Sequence, residues 1–161
     1  MEKVYSGGTQ IAAYTYDNNN LLSNTRGAVT TSYTYDNANQ LKTMNNQGID
    51  STTLSRQADG NVYSVVQGGN STLYEYDNFG RLTSETMPGA EVKSYTYDNF
   101  SNRIAMEVTG SNPQQVSYTY DKNNRLVRET KYSDESPNST LYLYDANGNI
   151  RQKIRKIRLY R

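Results

Sequence analysis

The chain has no cysteine, no histidine and no tryptophan in 161 residues, and only two phenylalanines and three prolines. Without cysteine there is no disulfide framework, thiolate nucleophile or cysteine metal site. Without histidine there is no Ser-His triad, and with both missing the usual zinc ligands are gone. No glycine loop has the spacing that cradles phosphate, and no motif points to a Ser-Lys pair. The expectation is therefore no enzyme, no catalytic residue, no cofactor and no metal. Long apolar runs are also missing. Met1 to Ala13 lacks the core of a signal peptide, and no stretch is long enough for a transmembrane helix. Delivery outside the cell, the expected location, then requires a larger parent protein or a route without such a signal.

Hydrophobic residues make up only 34%, a polarity that by itself reads as disorder. Sixteen tyrosines argue otherwise, because each ring buries apolar area while its hydroxyl stays wet or bonded. Residues 1–150 carry 11 basic and 16 acidic residues, a net of −5, whereas 151–161 carry six basic and no acidic ones. No nucleic-acid footprint appears outside that short tail. Sequons stand at Asn70, Asn99 and Asn138 and matter only in a eukaryotic secretory pathway.

Twelve of the tyrosines fall in one repeated unit. Tyr-Thr-Tyr-Asp occurs at Tyr14, Tyr16 and Asp17, at Tyr33, Tyr35 and Asp36, at Tyr95, Tyr97 and Asp98, and at Tyr118, Tyr120 and Asp121. Tyr74, Tyr76 and Asp77, and Tyr142, Tyr144 and Asp145, differ only between the tyrosines. A decayed copy runs from Leu54 through Asp59, Gly60 and Val62. The seven units start near 14, 33, 54, 74, 95, 118 and 142, in steps of 19 to 24 residues. A variable step suits hairpins with loops of different length better than a strict solenoid.

Tyr-x-Tyr puts two rings on one face of a strand, and the intervening threonine points the other way. The Asp opens an Asx-turn. Three residues on stands Gly60, Gly80 or Gly148, or else Asn20, Asn39, Asn124 or Ser101, and Gly and Asn readily take the positive φ a bulged hairpin turn needs. An aliphatic residue then starts the return strand at Leu22, Leu41, Val62, Leu82, Leu126 or Ile150. Arg103 breaks that position, with Ile104 available through a one-residue shift. The fold class expected is all-β: tandem antiparallel hairpins, up to fourteen strands, forming one long curved or spiral sheet. Residues 1–13 read as a lead-in strand, 14–155 as the seven hairpins and 156–161 as a basic tail. That tail is either the end of the last return strand, with its cations discouraging edge pairing, or a contact for anionic polymer or membrane.

The units Tyr74-Glu-Tyr-Asp-Asn-Phe-Gly-Arg-Leu82 and Tyr142-Leu-Tyr-Asp-Ala-Asn-Gly-Asn-Ile150 resemble the YD repeat of bacterial Rhs and wall-associated proteins. The same repeat occurs in teneurins and in toxin-complex shell subunits. The resemblance implies a spiral β-sheet wound into a hollow shell, which in bacterial members often encloses a toxin and in teneurins supports adhesion. The chain departs from the bacterial pattern in having no Asp-Pro dipeptide. The self-cleavage aspartates of some relatives lie in that region, so no repeat Asp inherits their role. Seven units are few for a large shell, and the chain is expected to be a segment of one. Its expected partners are further YD repeats of a parent chain or a second copy, with an enclosed toxin domain or surface glycans beyond them, and no nucleic acid.

Two other uses of the repeat residues compete with construction. The tyrosines at 14, 16, 33, 35, 74, 76, 95, 97, 118, 120, 142 and 144 could stack on sugar rings, or they could be the apolar layer of the sheet. The file of aspartates could hold a cation, and Asp145-Ala-Asn-Gly-Asn149 is similar to the start of a calcium loop. It lacks the distal bidentate Glu, and turn formation alone accounts for those carboxylates.

Overall fold

A computed structural model describes residues 1–132 and 137–157. Among them there are fifteen strands and no helix, so none long and apolar enough to cross a membrane. The strands follow one another in chain order, each antiparallel to its partner. Two compact units divide the chain, residues 1–73 and 74–161. The first contains β1 (Glu2–Ser6), β2 (Thr9–Asp17), β3 (Asn20–Arg26), β4 (Val29–Tyr35), β5 (Leu41–Asn46), β6 (Asp50–Arg56), β7 (Val62–Gln67) and the opening of β8 (Asn70–Tyr76). The second contains the rest of β8, then β9 (Leu82–Thr86), β10 (Val92–Tyr97), β11 (Arg103–Thr109), β12 (Gln114–Tyr120), β13 (Leu126–Tyr132), β14 (Asn138–Tyr144) and β15 (Ile150–Ile157). The count exceeds fourteen because the lead-in supplies β1, which pairs with β2 across the Gly7-Gly8 turn. The basic tail enters β15 as far as Ile157, and residues 158–161 lie outside the described residues.

Six of the seven repeats close on the same turn. Asp77 N–H donates to the Arg81 carbonyl at 3.0 Å, and Gly80 N–H donates back to the Asp77 carbonyl at 2.9 Å. Gly80 then sits at φ +73°, a three-residue hairpin loop ending in the left-handed region. Asn39, Ser101, Asn124, Gly60 and Gly148 occupy the equivalent position, also at positive φ. Asn20 does not. The first repeat turns on two residues, Asn18 (φ +51°) and Asn19, so Asp17 pairs directly with Asn20, which already starts β3. The shorter turn moves the return strand, and Leu21 rather than Leu22 stands opposite Tyr16.

Arg103 needs no one-residue shift: it pairs with Tyr97 in the place that Leu41 takes against Tyr35. Ile104 is instead the extra residue of a β-bulge, skipped between the Tyr97–Arg103 and Thr96–Ala105 pairs. The bulge recurs with Leu22, Lys42, Tyr63, Val127 and Arg151 as the skipped residues. Such bulges bend a strand and increase its local twist.

Little is buried. Among the described residues the buried apolar side chains are Ala12 and Ala13 in the first unit and Val108 and Val116 in the second, and no large side chain is fully enclosed. A single-layer sheet has water on both faces, so its rings are partly covered and not fully enclosed. The face opposite the tyrosines carries cross-strand hydroxyl pairs, Thr15–Ser23 and Thr34–Thr43 at 2.6 Å and Thr130–Ser139 at 3.0 Å. One turn is strained: Ala90, after Pro88 and Gly89, sits at φ +64°. Ala90→Gly is expected to raise stability by about 0.5–1 kcal/mol, read as a higher urea midpoint, because a β-carbon is unfavourable in the left-handed region.

Candidate functional site

The repeated register gathers the tyrosines onto one face within each unit. In the first, Tyr14, Tyr16, Tyr33 and Tyr35 share a face with Leu54 and Arg56, through the pairs Tyr14–Asn24, Asn24–Thr31, Tyr33–Met44 and Met44–Thr52. In the second, Tyr95, Tyr97, Tyr118, Tyr120, Tyr142 and Tyr144 share one, through Tyr95–Met106, Met106–Val116, Tyr118–Glu129 and Glu129–Thr140. Tyr74 and Tyr76 stand on β8, half-buried like the others. Tyr16, at 48% exposure, is the most open of the twelve.

The second tyrosine of a repeat joins it to the repeat before. Tyr35 donates its hydroxyl to the Leu21 carbonyl at 2.9 Å, Tyr97 to Leu82 at 2.8 Å, Tyr120 to Arg103 at 2.9 Å and Tyr144 to Leu126 at 2.8 Å. Leu82, Arg103 and Leu126 are the first residues of their return strands and Leu21 the second of β3, and Leu21, Arg103 and Leu126 stand beside the bulge. In the decayed repeat Arg56 stands where the second tyrosine would, and its guanidinium reaches the matching Leu41 carbonyl at 2.5 Å. The link survives a change of side chain because a long donor on that face still meets the same outward carbonyl.

The first tyrosines meet charges. Tyr95 donates to Glu85 Oε1 at 3.1 Å, and Tyr142 lies 3.4 Å from Glu129 Oε2. Burial, then the Glu85 carboxylate, push the Tyr95 pKa up to about 12. Burial also raises Tyr120 and Tyr142, with Glu129 adding to the effect at Tyr142. These hydroxyls stay protonated as donors at neutral pH.

Cations lie over the rings. Arg81 is 4.8 Å from the Tyr97 centroid and Arg125 4.8 Å from that of Tyr144, each reaching the second tyrosine of the next repeat. Arg103 lies between Tyr95 (5.4 Å) and Tyr118 (4.9 Å), and Lys153 sits 5.1 Å over Tyr142. Sequence reasoning missed all four. A signal was present for two of them, since Arg81 and Arg125 each stand four residues after the repeat Asp and pair with it at 2.7 Å.

The aspartates cap turns. Asp36 Oδ1 accepts the Ala38 and Gln40 N–H groups, and Asp77, Asp98, Asp121 and Asp145 repeat the pattern at 2.9–3.0 Å. Asp17, in its tighter turn, lies at the end of β2. In the third repeat Gln57 takes the Asp position, and Asp59 caps Asn61 N–H at 3.0 Å instead.

At Asp77 desolvation pushes the pKa up, and bonds from the Arg81 and Phe79 backbone and the Arg81 guanidinium outweigh it, leaving it below 3.8. Asn102 chiefly lowers Asp98, the Arg125 backbone Asp121 and the Asn149 backbone Asp145. A depressed folded-state pKa adds stability that is complete above the unfolded value and lost as pH falls through the folded one. The melting temperature is therefore expected to hold down to about pH 4 and drop below it, and Asp98→Asn with Asp121→Asn should flatten that drop.

Chemically, this surface holds bonds in place. Carboxylates held ionised in this way have no proton to give near neutrality. Among the described residues no three of His, Cys, Asp or Glu come together as metal ligands.

The family model described as RHS Repeat matches residues 55–92. Human teneurin-4 is 29% identical over 113 residues, 69% of this chain, and mouse teneurin-4 is 28% identical over the same length. The chain spans 4% of those relatives, and both are animal proteins, so the repeat does not by itself assign a bacterial origin. Among solved structures, a TcdB2-TccC3-Cdc42 crystal structure matches 90% of this chain and 9% of its own, at TM-score 0.76 and 20% identity. TcdB2-TccC3 without its hypervariable C-terminal region matches equally, at 0.76 and 19%. At such identity the likeness speaks for the fold. Repeat motif, hairpin geometry and these likenesses agree: residues 55–92 match the RHS Repeat model, and the chain is similar to proteins of the YD-repeat, or Rhs-repeat, family.

Proposed function

We propose that this chain is a non-catalytic structural stretch of a larger Rhs-type β-shell, serving toxin encapsulation and delivery or contact at a cell surface. One observation carries the reading: the repeat side chains are spent on construction. The second tyrosines link successive hairpins, the aspartates cap their turns, and the arginines lie over the rings. Likeness to TcdB2-TccC3 structures and to a short part of teneurin-4 supports a module within a long parent chain. In this reading the partners are further repeats of that chain and an enclosed polypeptide, and the location is outside the cell or on its surface.

The test uses the whole parent protein. An internal segment is expected to resist added protease until Tyr97→Ala and Tyr120→Ala break two inter-repeat links; prompt digestion of every segment outside these repeats would sink the shell reading. Sugar stacking is the other use of the same rings. Their half-burial speaks against it, and a glycan array is expected to show no binding that depends on Tyr74 or Tyr97. Binding that Tyr74→Ala and Tyr97→Ala abolish would reverse that choice.

A further inference from the structure

We infer that the outer edge of β15 is a docking site for an acidic Tyr-x-Tyr-Asp strand from outside these 161 residues, an inference that rests on the repeat-module reading. The argument is continuity with an interface the chain already builds repeatedly. Every return strand paired across a between-repeat turn receives the first strand of the next repeat: β3 receives β4, β5 the decayed β6, β7 β8, β9 β10, β11 β12 and β13 β14. On β3, β5, β9, β11 and β13 the carbonyl of Leu21, Leu41, Leu82, Arg103 or Leu126 accepts from the second tyrosine, or from Arg56, of the arriving strand. β15 is a return strand of the same kind. Ile150 pairs with Tyr144 as Leu126 does with Tyr120, after the same bulge. Among the described residues β15 pairs with β14, and no tyrosine reaches the Ile150 carbonyl.

Register then specifies the arriving strand's charge. The residue three after the one that offers this carbonyl faces the residue two before the first tyrosine, and the residue five after faces the one four before. Glu129–Thr140 and Lys131–Asn138 show this, as do Met106–Val116 and Val108–Gln114. At the first of these positions β9 places Glu85 opposite Lys93. On β15 the two positions are Lys153 and Arg155, both cations on the tyrosine face with exposed side chains. Acids at two and four before the first tyrosine would neutralise both, whereas basic residues there would face like charge. This chain's own strands do not qualify. None has an acid two residues before its first tyrosine, or before Leu54 in the decayed copy. The acids four before are Asp50 and Glu91, and Glu91 comes with Lys93. The complementarity therefore argues for a foreign strand over a second copy.

The full chain is titrated with the peptide Glu-Ser-Glu-Ser-Tyr-Thr-Tyr-Asp and with its counterpart carrying lysine at both glutamate positions. Binding is followed by amide hydrogen exchange and fluorescence anisotropy. The acidic peptide is expected to bind about tenfold tighter than the basic one and to slow exchange at Ile150 to Arg155. The K153E/R155E variant should invert the preference, a result that lost folding could not produce. No slowing at β15 with millimolar peptide, equal binding of the two peptides, a preference the variant leaves unchanged, or self-association through β15 would each overturn the inference alone. Coil-like exchange throughout the peptide-free chain would instead overturn the sheet reading, and this inference with it.

Discussion

Tyr120→Ala is expected to lower stability by about 2–3 kcal/mol, whereas Tyr120→Phe should cost only about 1 kcal/mol, both measured by urea unfolding. The two variants separate the ring from its hydroxyl. The ring is half-buried on the tyrosine face in a sheet with hardly any other interior, so its area is a large share of local cohesion. The hydroxyl donates to the Arg103 carbonyl at 2.9 Å and is one of the side-chain links between two successive hairpins there. Phenylalanine keeps the area and leaves that carbonyl to water at the rim, hence the smaller loss. Because a repeat array is held mainly by nearest-neighbour interfaces, exchange should rise first on β11, β12 and β13. Equal losses for the two variants would show that the hydroxyl link, and not ring burial, dominates.

Gly110→Ala is expected to cost about 2 kcal/mol, with an unchanged denaturant slope, although the residue is exposed and in no hairpin tip of the YD type. Two causes act together. Its φ of +118° is a conformation that side-chain-bearing residues rarely adopt. An added β-carbon would also stand 3.2 Å from the Glu91 α-carbon, a backbone atom that cannot step aside cheaply. At Gly89 (φ +87°) nothing lies within 4 Å, so Gly89→Ala carries the backbone cost alone and should be the milder change. A loss at Gly110 no greater than that at Gly89 would remove the steric part of the argument.

Much of the local architecture could be read directly. Tyr-x-Tyr announced a strand with both rings on one face, and Asp followed three residues later by Gly or Asn announced the turn, because both follow from alternation and φ preference within a few residues. The readings that failed depended on what single-strand alternation does not encode, a turn of different length for Leu22 and Asn20 and a bulge for Ile104. A two-residue turn in the first repeat moved Leu21 into place, and the bulge absorbed Ile104 while Arg103 kept the paired position. The repeat looked decayed at Leu54 to Gln57, yet its inter-repeat link persists through Arg56.

Residue order alone made legible that the chain is all-β, that it is built of hairpins at a step near twenty residues, and that a hairpin turns after each repeat Asp. These are properties of neighbouring residues and survive any arrangement of the strands. What the tyrosines and arginines do emerges only from strand pairing. A hydroxyl reaching a carbonyl fourteen to eighteen residues away, or a guanidinium lying over the next repeat's ring, exists only once strands are paired in one register. Register is a cross-strand property, set by bulges and turn lengths that a single strand's residues do not encode.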